Sequence, residues 1–534
     1  GHDPAGGSLE GVAPGARILS IKVGNSRFGS ASTNLAIVRA LEWAGRRGAS
    51  IVNLSFGGPS FSGDAGSADA RAAAEAVERY GLLCCFSAGN DGPLLSTVGS
   101  PGSARRVLSV GAYVSPATMR SSYGRLDEAP GERLFGFSSR GPLPGGDLGV
   151  SLLAPGAAWS TVPPWHLIRG DNWNGTSMAA PEVAGAAALL VSAAKREGVP
   201  TSPLRLVRAL RAGARPIAGL LRCEQGAGLV QVDRAYEALA RVRALPEERR
   251  LEARIENPTG VGGGIHVRDA VADAAFDRRV QVSVDWPRAV TNEERTAYER
   301  RLVLESDAPW VEVPPRLALN GAGGSFSVRV RSEDLPLGVH EALVRAVDPE
   351  RPELGPVLEV PVTLVRPASA DAHGRFLAEA TPAPGERVSR FVRVPAGASW
   401  VRVRLHNQGE RRDTFTLAAG VLDAWRRGAD RVVDRRGELA PREELSLWLA
   451  VVPNAVVELA VFSHWNANVA ARIALDALFT GPTTPEPEIR VGPGVDVALV
   501  RLDGALAPLK ADVVAVLDQV VERRRRRLHR LAVV

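Results

Sequence analysis

The sequence predicts an α/β domain, a parallel sheet flanked by helices, followed by all-β sandwich domains. Three observations carry that expectation. Strand-like and helix-like segments alternate through the first 240 or so residues. The texture changes near Leu245, and from there short alternating runs are separated by Gly- and Pro-rich turns.

In chain order, residues 17–23 (RILSIKV) alternate as a strand, and Leu35, Val38, Leu41 and Trp43 fall at helical spacing. Residues 51–55 read as a short strand, 70–80 as a helix, and 82–87 and 107–112 as apolar strands. Strands alternating with helices favour a parallel sheet covered on both faces. Residues 183–194 are apolar and alanine-rich, which fits a buried helix. The first domain is placed at 1–243. Runs at 280–284, 302–304, 326–330 and 357–365 predict an antiparallel sandwich over 251–367. A second all-β block covers 368–480, with strands at 392–394, 400–405 and 445–452. Residues 481–534 form a linker (GPTTPEPE) and a tail with five consecutive arginines, 523–527. That run reads as a solvated helix end or an extension, with an acidic partner or nucleic acid as the alternative. No internal repeat is found.

A length of 534 residues leaves room for about three or four domains. With 45% hydrophobic and 23% charged residues, wholesale disorder is excluded. No apolar run reaches about 18 residues, so no membrane span is expected. The formal charge is +6, too small an excess at this length to imply a nucleic-acid partner. Nearly all basic residues are arginine, the lysines being Lys22, Lys195 and Lys510, as a GC-rich genome produces. Cys84, Cys85 and Cys223 make no disulfide framework, which favours a reducing, cytoplasmic compartment. The chain opens on Gly1 with no signal peptide, so it reads as starting inside a longer polypeptide.

The segment Gly175-Thr176-Ser177-Met178-Ala179-Ala180-Pro181 carries the chemistry. A glycine turn delivers a serine to the start of a buried helix, where the dipole favours developing negative charge. Pro181 is expected in the first turn, where no amide bond is lost. Alone, such a serine is most often an N-cap. It is accompanied by residues 11–16 (GVAPGA), 52–57 (VNLSFG), 87–90 (SAGN) and 137–142 (FSSRGP).

In this order these motifs resemble the subtilisin-like serine peptidases. The resemblance makes Ser177 the nucleophile and Asn90 the side-chain donor of the oxyanion hole. It makes Ser55, Phe56 and Gly57 a substrate-binding strand and puts Ala88 and Gly89 in the wall of the pocket before the scissile bond. For Phe56, plain core packing is the equal alternative. Residues 11–24, 95–114, 149–169, 301–310 and 355–365 further resemble the tripeptidyl peptidase II family, over about residues 1 to 480. That resemblance implies a large cytosolic serine peptidase, usually a homo-oligomer, acting on peptides or unfolded proteins and removing tripeptides from free amino termini. It also implies immunoglobulin-like and galactose-binding-like β domains behind the catalytic one.

Two departures qualify it. The family's catalytic aspartate (D-[ST]-G) and histidine (HGTHVA) precede GVAPGA, and neither motif occurs here. His2 and His166 stand in the wrong contexts. The α/β domain is therefore expected to be incomplete at its N-terminus, and the chain alone nearly inert. The family's two glutamates for the substrate ammonium align with Ser32 and Gly58, with Asp64 a weak substitute. Their absence favours endopeptidase or relaxed aminopeptidase action over tripeptide counting. The competing reading is a non-catalytic assembly or binding protein on a degenerate peptidase domain. No G-x-S-x-G elbow supports another hydrolase, and no HExxH or Cys/His spacing supports a metal, so no cofactor is expected.

Overall fold

The structure is a computed structural model that describes residues 10–25, 27, 32–58, 67–123, 131–160, 171–269, 275–287, 290–421, 432–465, 469–483 and 503–504. His2, Asp64, His166 and the 523–527 arginines lie outside the described residues.

The first domain is built on four parallel strands in the order Ile51–Leu54, Leu83–Ser87, Leu108–Val114 and Leu152–Pro155. The apolar run at 82–87 follows from burial on both faces. Leu83 and Cys85 enter one core cluster with the helices Thr176–Glu197, Pro203–Gly213 and Val232–Arg241. Cys84 and Phe86 point the other way, against the helices Asn34–Arg46 and Ala68–Tyr80. All three cysteines are free and buried, and burial pushes the Cys84 thiol up to about 12.

Thr176–Glu197 is long and apolar enough to cross a membrane by composition. Here it is a core helix: Ala179, Ala180, Val183, Ala187 and Leu190 are buried against the sheet. Alanines at this contact let the helix backbone approach the strands closely.

Residues 17–23 correct the sequence reading. No strand forms there, and Ile18 is 85% exposed. The alternation is present, but no strand among the described residues pairs with it, and a strand is completed only by a partner's hydrogen bonds.

The strand-rich region forms two sandwiches. In the first, Ile265–Val267, Pro356–Arg366, Gly338–Val347, Glu299–Ser306 and Arg316–Asn320 face a second sheet of Val311–Glu312, Gly324–Val330, Phe276–Val284, Leu251–Asn257 and Gly260–Gly262. Alternate residues of both sheets, such as Val280, Val328, Leu302 and Leu364, share one core. In the second, Ala368–Ser369, Arg387–Arg393, Val456–Ser463, Asp413–Val421 and Val432–Leu439 face Arg375–Ala380, Ile473–Thr480, Trp400–Asn407 and Glu444–Ala450 around Phe415, Leu459 and Val403. The first is not purely antiparallel, which corrects the expectation for it, and nor is the second. Ile265–Val267 and Ala368–Ser369 each pair in parallel at a sheet edge.

Candidate active site

The helix Thr176–Glu197 starts one residue before the serine. Its N-cap is Gly175, with no side-chain capping bond, so the Ser177 hydroxyl is not spent as a cap. Pro181 therefore lies inside the helix, which corrects the expectation that no bond is lost there. Without an N–H on Pro181 the Ser177 carbonyl lacks its i+4 partner. Ser55 supplies the substitute: its hydroxyl donates to the Ser177 carbonyl at 2.9 Å. In return the Ser177 hydroxyl, half-buried, lies 3.4 Å from the Ser55 carbonyl, a long bond that leaves it available.

Asn90 is exposed at the end of the Leu83–Ser87 strand and faces the same helix terminus. The Thr176 backbone N–H donates to Asn90 Oδ1 at 3.0 Å. Because an N–H can only donate, that contact fixes the amide's orientation and turns Nδ2 away as a free donor. The Thr176 hydroxyl accepts from Gly89 N–H at 3.2 Å and shares its own proton between Gly89 O (3.1 Å) and Asn90 Oδ1 (3.0 Å). Met178 N–H returns to the Gly175 carbonyl. Among the described residues Ser177 N–H has no partner, as first-turn amides do not within a helix. Asn90 Nδ2 and Ser177 N–H thus both flank Gly175, 3.6 and 3.5 Å from where a Cβ on it would sit.

The loop holding Asn90 admits only glycine at 89, where φ is +112° and a Cβ would lie 2.8 Å from Ser139 Oγ. Ser139 secures it further: its N–H donates to Gly89 O at 3.0 Å, and its hydroxyl accepts from Asp91 N–H at 3.1 Å.

The remaining sequence-predicted residues separate. Ser55 and Gly57 continue the Ile51–Leu54 strand toward the serine, and a Cβ on Gly57 would meet the Ser100 carbonyl at 2.5 Å. Phe56 turns its ring into the cluster of Ile37, Leu41 and Phe86, the core-packing alternative. Ala88 is fully buried beneath the site, with Gly89 half-buried above it. Gly58 exchanges backbone bonds with Ser100, and Ser32 donates its hydroxyl to Val23 O at 2.9 Å. No carboxylate stands at either position. Described histidines begin at His266, all in the sandwiches, so none of the described residues of the first domain is an imidazole base.

Comparison with known proteins identifies the domains that carry this site. Residues 1–223 match the subtilase family model, and residues 252–365 match the first Ig-like domain of tripeptidyl-peptidase II. The chain is 35% identical to a tripeptidyl-peptidase 2 of Arabidopsis thaliana over 97% of its own length and 38% of the relative's. It is 30% identical to that of Drosophila melanogaster, over 90% and 35%. The chain thus spans less than two-fifths of these relatives. A crystal structure of tripeptidyl peptidase 2 superposes with a TM-score of 0.75 at 29% identity, covering 90% of this chain and 39% of that one. A serine at a helix start, an asparagine held at the same helix terminus and two matched domains in the same order give this chain a subtilisin-like serine peptidase domain followed by a tripeptidyl-peptidase II Ig-like domain.

Proposed function

We propose that this chain carries the acyl-transfer half of a peptidase active site. Ser177 attacks the scissile carbonyl, and Asn90 Nδ2 with Ser177 N–H receives the oxyanion. Water then hydrolyses the acyl-enzyme. The observation that carries the reading is the Thr176–Asn90 bond, which leaves the amide's donor end free beside the nucleophile. The proton acceptor is the histidine of an HGTHVA-type segment, which this sequence does not contain, so this chain by itself turns over slowly if at all. A fluorophosphonate probe on the full-length protein tests the assignment. Labelling should fall on Ser177 and vanish in Ser177→Ala; labelling elsewhere ends it.

The substrate is a peptide or an unfolded protein laid along residues 55–57. With Ser32 and Gly58 where carboxylates would hold an ammonium, product length is relaxed rather than fixed at three. Mass spectrometry of products from a peptide ladder reads this directly, and tripeptides alone would refute it. Assembly as a homo-oligomer and a cytoplasmic location complete the reading, supported by the likeness to tripeptidyl-peptidase 2 and by three free, buried cysteines. The lack of an imidazole among the described residues of the first domain favours the non-catalytic alternative; peptide hydrolysis by the full-length protein would dismiss it.

A further inference from the structure

We infer that the second β-sandwich holds the oxyanion loop in place, with Glu458 and Arg387 as positioning residues for Asn90. The inference rests on Asn90 being the oxyanion donor and adds a dependence of that donor on a distant domain.

Residues 89–95 leave the parallel sheet and run into the sandwich. Leu94, 1% exposed, packs on Ala418 and Ala460, and Leu95 on Phe391 and Val456. Leu95 N–H donates to Glu458 Oε2 at 2.8 Å. The other Glu458 oxygen accepts from Arg387 at 3.0 Å and from Ser389 at 2.9 Å.

A second route reaches the other side of the loop. Arg387 also donates to Glu224 at 2.8 Å, and Arg140 donates to the same Glu224 oxygen at 3.0 Å. Arg140 in turn binds the carbonyls of Gly136 and Ser138 at 3.1 and 2.8 Å. That shapes the 136–140 turn, whose Ser139 grips Gly89 and Asp91 and whose Phe137 carbonyl accepts from Gly92 N–H at 2.8 Å. The turn's back lies on the sandwich too: a Cβ on Gly136 would sit 2.7 Å from the Phe462 ring.

Two arginines and two glutamates balance in charge, and the carboxylate of Glu458 is fully buried. Buried ion pairs contribute little net stability compared with apolar packing of the same volume. What such a network supplies is one geometry, since a shifted loop would strand a buried charge or a buried amide. Burial raises the Glu458 carboxyl, while Arg387 and the Leu95 amide pull the other way.

The test uses the full-length protein. Glu458→Gln can offer oxygen to Leu95 or to Arg387 but not to both. It should lower kcat by about tenfold to a hundredfold with KM unchanged, the scale of a small misplacement. In an Asn90→Ala background the same change should cost nothing further, because its path runs through Asn90. Asp476→Asn, which breaks the Arg375 and Arg404 pairs on the opposite sheet, should lower Tm without lowering kcat. Should Glu458→Gln not fold, Ser389→Ala should show the same pattern more weakly. Amide exchange at 89–92 should quicken in the Glu458 or Ser389 variant and not in Asp476→Asn. Equal losses of kcat with and without Asn90, or unchanged exchange, overturn the inference. A wild-type protein unlabelled at Ser177 would instead refute the site assignment, while the exchange readout still decides whether the sandwich holds the loop.

Discussion

The loop around Asn90 and the segment at 17–23 are opposite cases of the same local sequence logic. Residues 82–87 read as an apolar strand and 17–23 as an alternating one, yet the first is paired on both edges and buried while the second leaves Ile18 85% exposed. The contrast shows that a strand-like pattern licenses a strand and a partner makes one. It also divides the chemistry. The proposed acyl acceptor and oxyanion donors sit on the built side, where Thr176, Ser139 and Glu458 of the second sandwich bond to residues 89–95. The exposed side contributes no proton acceptor among the described residues.

That contrast can be broken or sharpened by measurement. Ser177→Ala in the full-length protein should abolish turnover, by about six orders of magnitude in kcat, the scale known for the nucleophile of subtilisin. Phe415→Ala, in the core of the second sandwich, should destabilise by about 3–5 kcal/mol in denaturant unfolding. Asn90→Ala should cost about 10²–10³ in kcat with little change in KM, again the scale known for subtilisin. A rise in KM alone would make Asn90 a binding residue.

The second sandwich should also respond to acid. His464, bonded to Thr416 at 2.8 Å, is pushed down to about 4 by burial and by Arg436. Its ordinary value is near 6.5, so between those values the unfolded chain binds the extra proton. Stability should therefore fall as pH drops from about 6.5 and level off below about 4, by at most about 3 kcal/mol. His464→Gln should flatten that slope. Smallest of all, Ile18→Ser should change stability by less than about 0.5 kcal/mol; a larger loss would mean the segment has a partner after all.

Much of this is legible in the sequence, because local signals carry local structure. The glycine turn before Ser177, the apolar helix behind it and the SAGN motif each announce themselves within a few residues. The second function of Ser55 is not legible, since it depends on where the helix begins relative to Pro181. Nor is the Arg140–Glu224–Arg387–Glu458 network, whose contacts span 84, 163 and 71 residues with no periodicity to betray them. The helices Pro203–Gly213 and Val232–Arg241 carry no motif to single them out, although Leu206, Leu210, Ala235 and Leu239 complete the core behind the serine. The side chain of Phe56 stays undecided in sequence because an apolar residue beside a cleft reads the same whichever way it turns.

One ring closure has a mechanical outcome. Because residue 181 brings no amide hydrogen, the cleft's floor and the attacking group are stitched together through residue 55, carbonyl to hydroxyl in both directions. A change in the backbone of residue 55 would therefore be felt first at the carbonyl of residue 177, through the shorter of the two bonds.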